Sequence, residues 1–271
     1  MSFTDEPVAE SGRPAGGYLP GTPWTYADPM WVFLGGLAAS FMAAIPLALR
    51  YGDSGVPDSA IIGILAPAQF GGMAFVIFVL WRSRDPRPLG EALGLRIRMA
   101  DSWALVVGVA LQIGAGVLLL ALRELLPISD PPDQGITESL EVIEGAGVKL
   151  VALFVVVALA PTVEEIMFRG MLLSRLLRSF GRHTAVVISA AAFAVSHVIG
   201  DPNSWFASIA LLPVGMGLGY LALSCRSLSR AIWAHAGVNL LAAIGLLFLE
   251  DLQRIQNELE QSVESVLRLL F

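Results

Sequence analysis

The sequence predicts an all-α fold, a polytopic transmembrane helix bundle of about seven spans with a C-terminal amphipathic helix. Apolar residues make up 55% of the 271-residue chain and charged residues only 15%, and the mean hydropathy is +0.70. Soluble proteins carry about a quarter charged residues. The apolar residues are also gathered in runs of about 20, the helix length that crosses a hydrocarbon core about 30 Å thick.

Seven segments have this character. They lie at approximately 30–49, 60–81, 102–122, 148–168, 184–199, 205–224 and 230–249. Residues 1–29, rich in Pro and Gly, predict a flexible N-terminal tail, and the first group of membrane helices falls within 30–147. Within 250–271, apolar residues from Leu252 to Leu270 recur at spacings of three and four, which predicts an amphipathic helix. That helix could lie on the membrane surface or pair with a copy of itself, and its acidic polar face argues against a simple surface anchor.

The distribution of charge predicts orientation and excludes one class of function. A net charge of −6 without a basic stripe excludes nucleic-acid binding. The single cysteine, Cys225, excludes an internal disulfide and a multi-Cys metal cluster. Twelve Arg and Lys residues fall in Arg13 and the segments 82–101, 169–183 and 225–230, against five on the other side. The positive-inside rule therefore predicts a cytoplasmic N-terminus and, with seven spans, an external C-terminus.

The fourth span contains ionisable residues, which are costly in lipid and usually have a function or a partner. Glu165 and Arg169 are four residues apart and share a helix face, so we expect an ion pair. Glu164 points about 100° away and has no counter-charge on its own helix. A carboxylate in that setting can act as a general base. The alternative is that both acids only mark the end of the span.

Two further spans carry polar side chains. His197 ends the sequence FAVSH in the fifth span, four residues after Phe193, and the seventh span contains HAGVN from His235 to Asn239. His235 and Asn239 share one face of their helix. A single buried histidine is more often a hydrogen-bonded structural group, but two of them with an intramembrane Glu pair and an Asn indicate a polar site.

Three motifs in this order, E-E-x-x-x-R, F-x-x-x-H and H-x-x-x-N, resemble those of the CPBP family, the CAAX proteases and bacteriocin-processing enzymes also called Abi proteins. The resemblance covers about residues 150–245 and implies an intramembrane glutamic endopeptidase with its catalytic transmembrane core in 148–249. By the motifs, Glu164 and His197 would activate a water, and His235 and Asn239 would stabilise the oxyanion.

The resemblance further implies that Glu165 and Arg169 brace the site and that Phe193 packs beside it. It favours no metal cofactor. Zinc stays open, since Glu164, His197 and His235 together match the ligand set of catalytic zinc sites. The partners would be a peptide or membrane-protein substrate and the lipid bilayer, with self-association through 251–271 as a further option. The location would be a bacterial inner membrane.

Two other functions stay open at this point. A non-catalytic membrane scaffold or partner protein would be favoured by a substituted motif position, and all the motif positions are intact. A proton-coupled transporter would use Glu164 and the histidines as a relay. It would be expected to show paired broken helices in two similar halves, whereas the N-terminal half has no intramembrane charge comparable to Glu164.

The predicted span boundaries place one of the candidate site residues at a different depth in the membrane from the others. Counted at 1.5 Å per residue, Glu164 and His235 fall at matching depths. His197, counted from residue 184, falls about 12 Å farther from the cytoplasmic face. Either the fourth and fifth helices extend beyond the membrane before they turn, which the amphipathic stretch 171–180 favours, or the boundaries are misplaced.

Overall fold

The computed structural model describes residues 23–52, 55–126, 145–225 and 227–270, with only the backbone for 246, 248–255 and 262–270. The described residues form helices and contain no strand, which confirms the all-α class. The long helices are α1 (Ala27–Tyr51), α2 (Asp58–Arg84), α3 (Met99–Leu125), α4 (Ala146–Leu176), α5 (Arg182–Gly200), α6 (Pro202–Leu223) and α7 (Ser229–Leu270). A single helical turn, Leu89–Ala92, lies between α2 and α3.

Six of these helices, α1 to α6, are long and apolar enough to cross a membrane within the described residues, so the predicted count of about seven is not confirmed. The predicted seventh span and the predicted amphipathic helix are one continuous helix, α7, of 42 residues. At 1.5 Å per residue this helix is about 63 Å long, twice the thickness of a hydrocarbon core. No break at residue 250 separates the two predicted segments.

The predicted flexible tail reaches too far along the chain. Helix α1 already begins at Ala27, and Trp24 is only 2% exposed because it packs into the same apolar cluster as Phe168 and Met171. The rest of the predicted tail, 1–22, and most of the acidic loop, 127–144, lie outside the described residues.

The three basic segments lie at one end of the bundle. Asp28 at the start of α1 pairs with Arg84 at the end of α2. The Tyr26 hydroxyl donates to Ser179 Oγ in the turn between α4 and α5, at 3.0 Å. The Leu228 amide, before α7, donates to the carbonyl of Gly94 at 2.9 Å. These contacts confirm that segments 82–101, 169–183 and 225–230 share a side with the start of α1, as the alternation of spans predicts.

Helix α4 departs from regular α geometry on both sides of its glutamates. Val155–Leu159 and Ile166–Leu173 are π-helical, and the α-helical segment Ala160–Glu165 lies between them. Pro161 accounts for the first irregularity, because proline lacks an N–H and its ring clashes with the carbonyl four residues earlier. Such π turns are uncommon and often occur at functional sites.

The boundaries of α4 and α5 remove the mismatch in depth. Helix α4 continues to Leu176, well beyond the predicted end at 168. Measured from the turn that joins the two helices, Glu164 lies 12 residues before the end of α4 and His197 lies 15 residues after the start of α5. At 1.5 Å per residue these depths are about 18 and 22 Å. The predicted end of the fourth helix at residue 168 was therefore misplaced, and the two residues lie at similar heights along the hairpin.

Helices α3 and α7 touch through their backbones. A Cβ atom added to Gly108 would lie 1.8 Å from the carbonyl oxygen of Ala234, and one added to Gly237 would lie 2.1 Å from the carbonyl oxygen of Leu105. Small residues permit this kind of approach between helices in lipid. Because Gly237 lies between His235 and Asn239, this contact fixes the position of both polar side chains.

Replacing either contact glycine with alanine should destabilise the protein. In Gly108→Ala and Gly237→Ala the new methyl group meets a backbone carbonyl, which cannot rotate away as a side chain could. We expect a loss of about 3 kcal/mol, at the upper end of overpacking effects. Thermal melting in detergent measures it. Gly114→Ala is the control, since a Cβ there meets nothing within 4 Å; equal melting temperatures for all three variants would contradict the close approach.

The predicted orientation can be measured with single cysteines in a Cys225→Ser background. The exposed Glu91 lies in the first basic segment, and Asp133 lies in the acidic loop. By the positive-inside rule, Glu91→Cys should react with an impermeant thiol reagent only from the cytoplasmic side, and Asp133→Cys only from the external side. If both cysteines reacted from the same side, α3, which lies between them, would not cross the membrane as proposed.

Candidate active site

The two adjacent glutamates of α4 occupy different surroundings. The side chain of Glu165 is fully buried, whereas that of Glu164 is 15% exposed. Successive residues on a helix point about 100° apart, so one carboxylate enters the packed interior while the other faces open space. The site therefore begins with one glutamate that packs and one that a ligand can reach.

The buried carboxylate of Glu165 accepts hydrogen bonds from two side chains. Arg169 Nη1 donates to Glu165 Oε1 at 2.8 Å, which confirms the predicted ion pair, and both side chains are fully buried. Arg169 Nη2 donates to the carbonyl oxygen of Gly215 on α6 at 2.9 Å. His235 Nδ1, on α7, lies 2.9 Å from the same Oε1 atom. One carboxylate oxygen thus joins α4 to α7, while its arginine joins α4 to α6.

His235 lies between the two glutamates. A carboxylate only accepts hydrogen bonds, so Nδ1 beside Glu165 carries a proton. The other ring nitrogen, Nε2, is 3.5 Å from Glu164 Oε2. Glu164 has no counter-charge on its own helix, as predicted, and the polar side chain nearest to its carboxylate comes from α7.

Phe193 of α5 packs at the centre of these groups and is 1% exposed. The Arg169 guanidinium carbon lies 4.8 Å from the centre of its ring, a cation–π contact. Its ring also meets those of His197 and His235 edge to face, at centroid distances of 4.7 and 5.5 Å. The backbone carbonyl of Phe193 lies 2.8 Å from His197 Nδ1. Because a carbonyl oxygen only accepts, Nδ1 is the donor in this contact, and Nε2 is the ring nitrogen that takes no part in it.

Asn239 is bound to the irregular part of α4. Its Nδ2 donates to the carbonyl oxygen of Val156, at 2.8 Å, within the first π-helical stretch. An amide nitrogen carries two hydrogens, so this bond fixes the side chain and leaves the second N–H available. The predicted pairing of His235 with Asn239 on one helix face is present, although each contacts a different part of α4.

A partly enclosed cavity of about 830 Å³ connects the site residues. Glu164, His197 and Asn239 line it, so three of the four predicted catalytic residues face one space. His235 does not line it and lies behind Glu164. The volume is within the range of small-molecule and cofactor sites, far larger than a single water needs.

Sequence reasoning missed two residues of this cavity. Gln69 of α2 and Gln112 of α3 also line it, and both precede the motif-bearing part of the chain. Their positions could have been noticed in the sequence, because each is a polar amide within a long apolar span. Because the sequence-based search concentrated on charged groups, these two amides were assigned no role.

The zinc alternative would require Glu164, His197 and His235 to meet at one ion. Within the parts of the chain that the structure describes, no three His, Cys, Asp or Glu side chains are grouped so that they could hold a metal ion. Of the candidate zinc ligands, His235 directs Nδ1 to Glu165 and Nε2 to Glu164. No step of the chemistry below is derived through a metal.

Comparison with known families gives one match. Residues 146–241 match the family model described as Type II CAAX prenyl endopeptidase Rce1-like. The matched segment is about a third of the chain, and it supports a CAAX-type intramembrane protease. The six apolar helices support an integral membrane protein. No curated protein and no solved structure matches the chain.

The Rce1-like match runs from the start of α4 into α7 and includes the seven residues of the three motifs. The cavity extends beyond it, since α1, α2 and α3 supply part of the wall from outside the matched range. The catalytic candidates thus come from the matched segment, and part of the space that they face comes from the helices before it.

The two glutamates should differ in their effect on stability. Glu165→Gln leaves the buried Arg169 guanidinium without its ionic partner, and breaking a buried pair typically costs about 3–5 kcal/mol. Glu164→Gln should leave stability nearly unchanged, because that side chain borders the cavity and keeps its shape. Thermal melting of both variants in the same detergent tests this. If Glu164→Gln were the less stable variant, the bracing role would belong to Glu164.

Proposed function

We propose that the protein hydrolyses a peptide bond of a membrane-associated substrate with a water activated by Glu164. The observation that carries the proposal is that Glu164, His197 and Asn239, from three helices, line one cavity inside the bundle. A carboxylate that can take a proton and a donor that can bind developing negative charge are the two requirements of such a reaction.

In the proposed reaction a water lies between Glu164 and His197 Nε2. Glu164 takes one proton from the water as the oxygen attacks the carbonyl carbon, and the electron pair of the C=O double bond moves to the carbonyl oxygen. When the tetrahedral intermediate collapses, the C–N bond breaks and the carboxylic acid of Glu164 returns the proton to the leaving amine. The products are a carboxylic acid and an amine, which exchange the remaining proton to become a carboxylate and an ammonium group, and the enzyme is unchanged.

The oxyanion needs donors that are already in place. Asn239 meets this need, because its bond to Val156 fixes the side chain while a second N–H stays available. His235 was assigned the same role by resemblance. Since it does not line the cavity, its proposed contribution is to hold Glu164 in place from its position between the two glutamates.

The substrate class that the family name suggests is a prenylated tail that ends in a CAAX sequence. A lipidated tail fits the mixed character of the cavity, in which a few polar groups stand among many apolar ones. Such tails lie on the cytoplasmic face, where the positive-inside rule puts the N-terminus and the basic segments. We therefore also propose that the N-terminus lies in the cytoplasm. As the location we propose a bacterial inner membrane, because the loops between the helices are short.

Two variants separate the proposed roles. Glu164→Gln removes the base and keeps the shape, so turnover should fall by about 10²-fold or more while the substrate still binds. Asn239→Ala removes one oxyanion donor and should lower the rate about 10²–10³-fold. Cleavage of a farnesylated CAAX peptide by purified protein in detergent measures both effects.

The same preparation tests the zinc alternative. Chelators should have little effect on the rate if Glu164 acts without a metal. One tightly bound zinc per chain, with activity lost on chelation and restored by zinc, would replace the scheme with a metal site built from Glu164, His197 and His235. Full activity of Glu164→Gln would refute both versions.

A further inference from the structure

Two glutamines of the N-terminal helices line the cavity and have no role in the proposed reaction. Gln69 and Gln112 are half-buried. Neither side chain makes a hydrogen bond or ionic contact to the described part of the chain. An amide within an apolar span normally finds a partner on a neighbouring helix, because a polar group removed from water without one costs free energy. These amides instead face the space that Glu164 borders.

The two glutamines come from separate walls. Helix α2 packs against α1 and α4, whereas α3 packs against α6 and α7. Gln69 therefore lies on the wall next to the glutamates, and Gln112 lies on the wall next to His235 and Asn239. A ligand that contacted both would extend across the catalytic groups. Neither residue is within the family match at 146–241.

We propose that Gln69 and Gln112 bind main-chain N–H and C=O groups of the substrate peptide and hold it extended across the cavity. The inference rests on the proposed peptidase function and adds its binding residues. A carboxamide offers a donor and an acceptor in the same geometry as a peptide group, so it can pair with a peptide of any sequence. A hydrocarbon tail can form no such bond and does not account for the two amides.

The need for these partners follows from the location of the cavity. A peptide that enters a helix bundle within the bilayer leaves the water that satisfied its backbone, and each unsatisfied group costs several kcal/mol. Asn239 can serve one carbonyl oxygen at the scissile bond. The peptide groups on either side need further donors and acceptors, which Gln69 and Gln112 provide.

Binding can be measured apart from catalysis in a Glu164→Gln background. The probe is a fluorescent farnesylated peptide that ends in Cys, two aliphatic residues and Ser. Gln69→Leu and Gln112→Leu should each weaken its binding about tenfold, the loss expected for one hydrogen bond whose partner stays unsatisfied. With Glu164 restored, each should raise KM and leave kcat within about threefold. Gln256→Leu is the matched control, since Gln256 is exposed on α7 outside the cavity.

Changing the substrate identifies the bonded group. Peptides in which one amide near the cleavage site is N-methylated should bind less tightly to protein that has both glutamines. For one such position the penalty should disappear in Gln69→Leu, and for another in Gln112→Leu. Penalties that are the same in all proteins would overturn the proposal, as would leucine variants that are stable and bind the peptide as tightly as the control.

These outcomes are distinguishable from failure of the proposed function. If Glu164→Gln abolishes cleavage and both leucine variants behave as the control, the glutamine proposal alone is wrong. If Glu164→Gln cleaves normally, the proposed mechanism is wrong, while glutamine-dependent binding of the peptide would still support a peptide site in the cavity.

Discussion

The buried contact between Arg169 and Glu165 is the constraint on which the site depends. A charge inside a bilayer is tolerated only when it is paired and hydrogen-bonded, so each group of this pair must find its partners within the bundle. Arg169 finds them in Glu165, the Gly215 carbonyl and the Phe193 ring, and Glu165 finds a second one in His235. These contacts hold α4, α5, α6 and α7 in one arrangement, and the accessible glutamate is fixed as a consequence.

Glycine makes that arrangement possible. A Cβ on Gly215 would lie 3.1 Å from the Cβ of Ala190 and 3.3 Å from the Phe193 ring, so a side chain there would require α5 to give way by a few tenths of an ångström. At the other side of the site, Gly108 and Gly237 let α3 and α7 meet backbone to backbone. Dispersion and close packing hold helices together in lipid, where no hydrophobic force acts between them. The polar cluster and the glycine contacts therefore depend on each other.

Much of the fold and of the candidate site could be predicted from the sequence. The features that could not be predicted were missed for physical reasons. The helical class follows from long apolar runs, and the Glu165–Arg169 pair from a spacing of four, because both are local properties of one helix. The contact between Glu164 and His235 did not follow from helix periodicity, since it joins residues 71 positions apart through the packing of α4 on α7, and only the family resemblance put the two in one site. The continuous α7 was missed because a change from apolar to amphipathic pattern does not by itself end a helix.

The Rce1-like match covers only part of the cavity wall, and the matched and unmatched parts of the wall meet different physical requirements. Residues that carry out chemistry must be fixed to within fractions of an ångström, and they lie on helices that a buried ionic cluster holds together. Residues that only bind a substrate backbone need a hydrogen-bonding group at the right wall, which a single glutamine in an apolar span supplies without a cluster of its own. Such a residue leaves no multi-residue motif, so the matched segment 146–241 contains the proposed catalytic residues but neither Gln69 nor Gln112. Substrate preference can then change through the N-terminal helices while the cluster around Glu165 stays intact.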